Sequence, residues 1–303
     1  MRLTDQVIKN IIKRVVKSQD YRIEIVGLIN AQFLQFAVDF FKKVVDAKLE
    51  SKDITIDWYK NAFINDTLPA NDIAINSGLN KKTISNMYRS ATKQIVIDAA
   101  NEHFESLYNS IQTLVETESD IDLSLTIKFK GISVDLNVSE SLIVINTLAV
   151  KRAALRGGLW SSAGKRAEKY LMLVLCQLYG VDKQYYNADK FVKNKALQVD
   201  REIDFYLIDP NKNRYKCEVK LMGQGNPESA DAIIARDSQV FIADTLSQQN
   251  KNQCDQLNVC WVACRDIDGF RRFKLALEKF GIPHTDYIGD LDNDLNKILD
   301  DIF

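Results

Sequence analysis

"REIDFYLIDPNKNRYKCEVKLMGQGNPESAD", residues 201–231, carries apolar residues at alternate positions on either side of a short polar run. Alternation marks half-buried strands, and the "DPNKN" segment (209–213) between them holds residues that turn a chain. A turn centred on Asn211 sets Ile208 opposite Arg214, Tyr206 opposite Lys216 and Asp204 opposite Glu218. Lys220, two residues beyond Glu218, shares its side of the strand. Ile203, Phe205, Leu207, Cys217, Val219 and Leu221 take the other side. Directly opposed side chains hold their Cβ atoms roughly 4.5–5.5 Å apart, and like charges there are destabilising. Two facing carboxylates therefore call for a cation. In a plain solvated hairpin, Lys220 supplies it by pairing with Glu218 or Asp204. In a metal site, Asp204, Glu218, the Val219 carbonyl and waters hold Mg²⁺, a hard ion that takes oxygen ligands. Lys220 then stands beside a metal-activated water and a phosphoryl centre.

The rest of the chain is consistent with either chemistry but excludes others. With 303 residues, 46% of them hydrophobic, the sequence predicts about two domains with full cores. Four Pro and 12 Gly argue against a disordered or fibrous chain. The opening "MRLTDQVIKNIIKRVVKSQD" reads as an amphipathic helix rather than a signal peptide, and no run of about 18 apolar residues predicts a membrane span. Five Cys without paired metal-ligand spacing read as buried thiols of a reducing compartment. Only two His occur. His103 falls in a helical run and His284 in a late loop, neither beside a nucleophile motif, so hydrolysis by a His-dependent triad is disfavoured. The net charge is −1, yet no acid falls between Glu140 and Glu168, where Lys151, Arg152, Arg156, Lys165 and Arg166 cluster. Such a band serves phosphate contact, or is a solvated linker with chance charge.

The periodicity predicts helices to about residue 115, then strand alternation through "LSLTIKFKGISVDLNVSESLIVIN" (123–146). From about 151 the predicted order is a helix over "SAGKRAEKYLMLVLCQLYG", the two strands quoted above, a helix over "SADAIIARDS", a strand in "QVFIADTL", a helix over "SQQNKNQCDQL", a strand in "NVCWVACR" and a last long helix, "DGFRRFKLALEKFG". That order implies a mixed α/β fold. Residues 1–150 are expected to form a mostly helical domain and residues 151–303 a domain with a central mixed sheet flanked by helices.

"EIDFYLID…KCEVK" resembles the PD-(D/E)xK nuclease core, with Asp204 as its Asp and Glu218-Val219-Lys220 as its ExK; Ile203 stands where the motif's Pro falls. Glu168, in "GKRAEKYL", sits where many of these nucleases place a further acid that supports the metal, although a polar run like "KRAEK" also suits a surface helix. "VKLMGQGNPESADA" is similar to type II restriction endonucleases, most of all to the CfrBI group. The resemblance implies a Mg²⁺-dependent homodimer that cuts double-stranded DNA at a short palindrome in the prokaryotic cytoplasm. It implies recognition and dimerisation for residues 1–150 and catalysis for residues 151–303. A companion methyltransferase would act on the same site and need not bind the enzyme. Other members of the superfamily act on DNA ends or structures, and a non-catalytic DNA-binding regulator is the reading from another class.

Two further segments suit DNA contact. Asn226 and Glu228, in the loop after Lys220, match base edges, while Pro227 and Ser229 also fit a helix start. In "DIAINSGLNKKTISNMY", Ala74, Gly78 and Ile84 have helix-turn-helix spacing within residues 70–90. Lys81, Lys82, Thr83, Ser85, Asn86 and Arg89 fall on the outer side of its second helix, with Lys165 and Arg166 as further phosphate contacts.

Overall fold

The structure, a computed structural model, describes residues 3–79, 81–118, 123–187, 205–221 and 238–303; the side chains of Leu3, Lys81 and Lys82 also lie outside the description. Helices come first: α1 (Leu3–Val16), α2 (Arg22–Leu49), α3 (Ile56–Phe63), α4 (Ala70–Asn76), α5 (Lys81–Tyr88) and α6 (Lys93–Thr117). A hairpin of β1 (Leu125–Phe129) and β2 (Ile132–Leu136) leads into the 41-residue α7 (Val138–Leu178). The sheet strands are β3 (Tyr186–Asn187), β4 (Phe205–Ile208), β5 (Arg214–Lys220), β6 (Val240–Ala243) and β7 (Cys260–Ala263). Helices α8 (Gln248–Gln256), α9 (Phe273–Lys279) and α10 (Leu291–Ile302) complete the described chain. This is the mixed α/β architecture that the periodicity predicts.

The chain forms two compact units, one of Ile29–Leu159 and one of Met1–Leu28 with Trp160–Phe303. The division passes through α2 and α7, and the first 28 residues join the sheet. α1 is fastened there by Lys9 to Asp300 (2.6 Å), Arg166 to Asp5 (2.7 Å) and an ion pair from Lys17 to Asp292.

The sheet has order β3-β4-β5-β6-β7. β3, β4 and β5 are antiparallel neighbours, while β5, β6 and β7 run parallel. The predicted hairpin register holds: Tyr206 faces Lys216 and Ile208 faces Arg214. Asp209 sets the turn by accepting from the Asn213 N–H and side-chain amide (both 2.8 Å) and the Tyr215 hydroxyl (3.1 Å). Phe205, Leu207, Cys217 and Val219 are fully buried on one side, with Cys176 of α7 next to Cys217. On the other side Phe241, Ala243, Leu246 and Cys254 of α8 form a small cluster. β7 is an edge strand, and its Trp261 carbonyl accepts from the Arg272 guanidinium (3.0 Å), which shields part of that edge.

Two expectations need correction. "VSESLIVIN" is helix rather than strand. Asn137 caps it, accepting from the Glu140 N–H (2.9 Å) while Glu140 accepts from the Asn137 N–H (3.0 Å). This reciprocal capping box overrides the strand propensity of "LIVI". "DGFRRFKLALEKFG" is a 3-10 turn followed by a short α9, and the longer α10 follows it, capped by Asp290. α2 is long and apolar enough by length and composition to cross a membrane. Its Ile25, Leu28, Phe40, Val44 and Ala47 are buried in protein, and it also carries Glu24, Asp39, Lys42, Lys43, Asp46 and Lys48. The predicted helix "SADAIIARDS" lies outside the described residues except for Ser238.

Glu140 also ties α7 to the segment after α2. Its carboxylate accepts from the Ile54 N–H (2.8 Å) and pairs with Lys48 (2.9 Å), and the residue is 3% exposed. Burial alone would raise its pKa. The Lys48 ammonium and the two N–H donors outweigh burial and hold it below the ordinary value. A depressed folded-state pKa contributes stability above the unfolded pKa and loses it as the pH falls through the folded one. Glu140→Ala should cost about 3 kcal/mol in urea unfolding at neutral pH, the scale for breaking a buried ion pair. The difference from wild type should narrow as the pH drops below about 4. Equal midpoints at neutral pH would remove Glu140 from this role.

Candidate active site

The members of the site meet at the carboxyl end of β5 from several elements. Glu218 and Lys220 come from β5 itself. Because successive strand side chains alternate, they emerge on one side, and Lys220 Nζ lies 3.0 Å from Glu218 Oε1. Glu218 is 2% exposed, and Lys220 keeps part of its side chain accessible. A buried carboxylate is tolerated only with a partner or a metal, and Lys220 supplies the partner here.

Glu168 reaches the same place from α7. It shares the buried helical stripe of Leu171, Met172, Leu175 and Cys176, and is itself buried. Its Oε1 accepts from the Leu221 N–H at 3.1 Å. The surface-charge reading of "KRAEK" therefore fails for Glu168 and fits Lys165, which is exposed. The Arg166 guanidinium binds Asp5.

Two residues of this site are absent from the sequence expectations. Tyr21, between α1 and α2, is buried and donates its hydroxyl to the Leu221 carbonyl at 2.6 Å. Burial raises the pKa of that hydroxyl, and Asp244 and Glu168 push the same way, so it stays a donor. Asp244 follows β6 and is fully buried; its carbonyl accepts from the Arg265 N–H (2.9 Å). An acid ending the apolar run "VFIA" is a sequence signal for this position. Tyr21 gives no local signal, because its partner lies 200 residues away.

The third expected carboxylate, Asp204, lies outside the described residues, as do Asn226 and Glu228. Among the described residues no group of three His, Cys, Asp or Glu is placed to hold a metal. Glu218 and Glu168 are nonetheless oxygen donors of the kind that hard divalent cations take, next to a strand carbonyl, so the donor chemistry fits such an ion. The thiols do not compete. Cys176, Cys217, Cys254 and Cys264 are free and buried, and burial pushes Cys254 and Cys264 to about 12. His284 accepts from or donates to no described nucleophile; its Nδ1 lies 2.7 Å from the Ile282 carbonyl oxygen.

In the Ile29–Leu159 unit, α4 and α5 are joined by a turn in which Gly78 has φ +83. A side chain there would also meet Val150 at 3.3 Å. Ala74 and Ile84 are fully buried, so the spacing noted in the sequence sets the packing of this helix pair. Ser85, Asn86 and Arg89 are exposed, and Thr83 is half-buried.

The central strand of the sheet thus ends in a paired Glu and Lys, and a buried acid of α7 binds the next peptide group. The comparison with protein families identifies the class as restriction endonuclease. A model of the CfrBI restriction endonuclease family matches residues 5–251, most of the chain, and the protein belongs to that family. No curated protein and no solved structure matches it. Restriction endonucleases generally use divalent metal ions.

Removing the Tyr21 hydroxyl leaves the buried Leu221 carbonyl without its donor. Tyr21→Phe should lower unfolding stability by about 1–3 kcal/mol, the usual cost of an unsatisfied buried group. An unchanged urea midpoint would show that the 2.6 Å bond contributes nothing.

Proposed function

We propose that this enzyme is a Mg²⁺-dependent type II restriction endonuclease that cuts duplex DNA at a short palindrome as a homodimer in the prokaryotic cytoplasm. The observation that carries the reading is the buried Glu218–Lys220 pair on β5, followed by a peptide group bound to Glu168. A palindrome and a two-fold symmetric reader have matching symmetry, which favours the dimer. A methyltransferase acting on the same sequence completes the system without contacting this chain.

Glu218, Asp204 and the Val219 carbonyl are assigned to hold the ion, with Glu168 in support. When bound, such an ion lowers the pKa of a water and stabilises charge on a phosphoryl group. The remaining work belongs to Lys220. Its ammonium orients the attacking water and offsets the negative charge that grows on the phosphate. The water oxygen bonds to phosphorus as it gives a proton to solvent, the bond from phosphorus to one bridging oxygen breaks, and that oxygen leaves as a hydroxyl after taking a proton from solvent. Lys81, Lys82, Thr83, Ser85, Asn86 and Arg89 are assigned to duplex contact in a recognition segment over 70–90, with Lys165 and Arg166 on backbone phosphates. Asn226 and Glu228 are assigned to base edges.

Incubation of duplex DNA with the protein and MgCl₂, followed by sequencing of the ends, tests the reading. Discrete fragments sharing one end sequence support it; progressive loss from the termini assigns an end-specific nuclease; uncut DNA overturns catalysis. Lys220→Ala, Glu218→Ala and Asp204→Ala should each lower the cleavage rate by at least about 100-fold, with duplex binding retained in Ca²⁺. Near wild-type cutting by Asp204→Ala would refute the metal assignment. Glu168→Gln keeps an oxygen for the Leu221 N–H, so its melting temperature should stay close to wild type while cleavage slows.

A further inference from the structure

The β1–β2 hairpin carries Lys128 and Lys130 beside Lys42 of α2, with Asp135 as the acid of its own exposed side. Val134 and Leu136 turn inward, while Lys128 pairs in register with Ser133 on the exposed side. The two-residue turn is Lys130 (φ 50) and Gly131 (φ 82), both left-handed. Such a turn favours Asn, Asp or Gly at its first position, so a lysine there is held at some conformational cost. Lys130 Nζ lies 5.7 Å from the centre of the Phe129 ring, and Lys42 of α2 lies 5.8 Å from it. Lys42 shares a 3.7 Å ion pair with Asp39 on its own helix. Among the described residues, neither Lys128 nor Lys130 has a carboxylate within ion-pair distance. Asp135, on the same exposed side, accepts the Thr126 hydroxyl at 2.6 Å. The Lys42 and Lys130 ammonium groups thus share one aromatic ring, and Lys128 lies on the exposed ribbon.

We infer that this hairpin is a duplex-DNA contact additional to the helix pair α4–α5, with Lys128, Lys130 and Lys42 meeting backbone phosphates. The inference rests on the nuclease reading above and names a part of the surface that holds its substrate. A two-stranded ribbon fits the width of a major groove, and phosphate is the anion that exposed ammonium groups on such a ribbon meet on DNA. The open cleft of about 720 Å³ along α6 in the same unit is lined by Glu102 and Glu105, which repel phosphate. The contact predicts affinity that is independent of sequence and sensitive to salt.

The test combines Lys128→Thr with Lys130→Asn. Threonine suits an exposed strand position, and asparagine suits the left-handed turn, so the charge is removed without removing the fold. Binding of a fluorescent duplex of arbitrary sequence, without divalent metal, is followed by anisotropy across a KCl series. The slope of log affinity against log salt should become shallower by about 2 for the double variant and by about 1 for Lys130→Asn alone, with melting temperatures at or above wild type. An unchanged slope in a folded variant overturns the hairpin contact and leaves the nuclease reading intact. A wild-type chain with no salt-dependent duplex affinity overturns both.

Discussion

The peptide unit of Leu221 is the constraint on which this site depends. Its N–H is taken by Glu168 of α7 and its carbonyl by Tyr21 of the segment between α1 and α2. Both of these groups sit where β5 ends, one residue past Lys220, where ladder hydrogen bonding stops and backbone groups need other partners. Two side chains from distant parts of the sequence meet that need. The strand end is thereby fixed in place, and with it the direction in which Glu218 and Lys220 point. The Leu221 N–H gives the Glu168 carboxylate a partner on the buried stripe of α7 among Leu171, Leu175 and Cys176.

Buried acids in this protein divide by how completely they are satisfied. Glu140 has two N–H donors and an ammonium, all from its own unit, and its work is to start α7. Asp209 spends its oxygens on the turn that sets the β4–β5 register. Glu218 differs because its close cation is a flexible lysine two residues along the same strand. A lysine stem can swing aside more cheaply than a backbone N–H can.

Much of this was legible in the sequence, for reasons that can be traced. The β4–β5 register followed from alternation plus the Asp209–Asn213 turn, because a one-residue slip would have exposed Phe205, Leu207, Cys217 and Val219 together. Glu168 was legible only as a family position, since "KRAEK" is polar on its face and burial depends on which helical stripe meets the sheet. The start of α7 was misread because "SLIVIN" has strand composition, while the deciding Asn137–Glu140 box is a three-residue spacing. The site's Tyr21 could not be found locally. Tyrosine after a polar "KSQD" turn is unremarkable until the chain brings Leu221 to it. α10 was overlooked because its apolar residues, Leu291, Leu295, Leu299 and Ile302, are diluted by acids and amides.

The discontinuity of the sheet unit has a consequence for biosynthesis. The segment Ile29–Leu159 is continuous, so its core of Phe40, Tyr59, Phe104 and Ile143 is complete once that stretch has left the ribosome. The other unit is assembled from both extremes of the polypeptide. α1 waits for α10, its partner through Lys9–Asp300 and Lys17–Asp292, and Tyr21 waits for Leu221. The sheet unit can therefore close only after both of its stretches have been made, whereas the intervening unit can fold first.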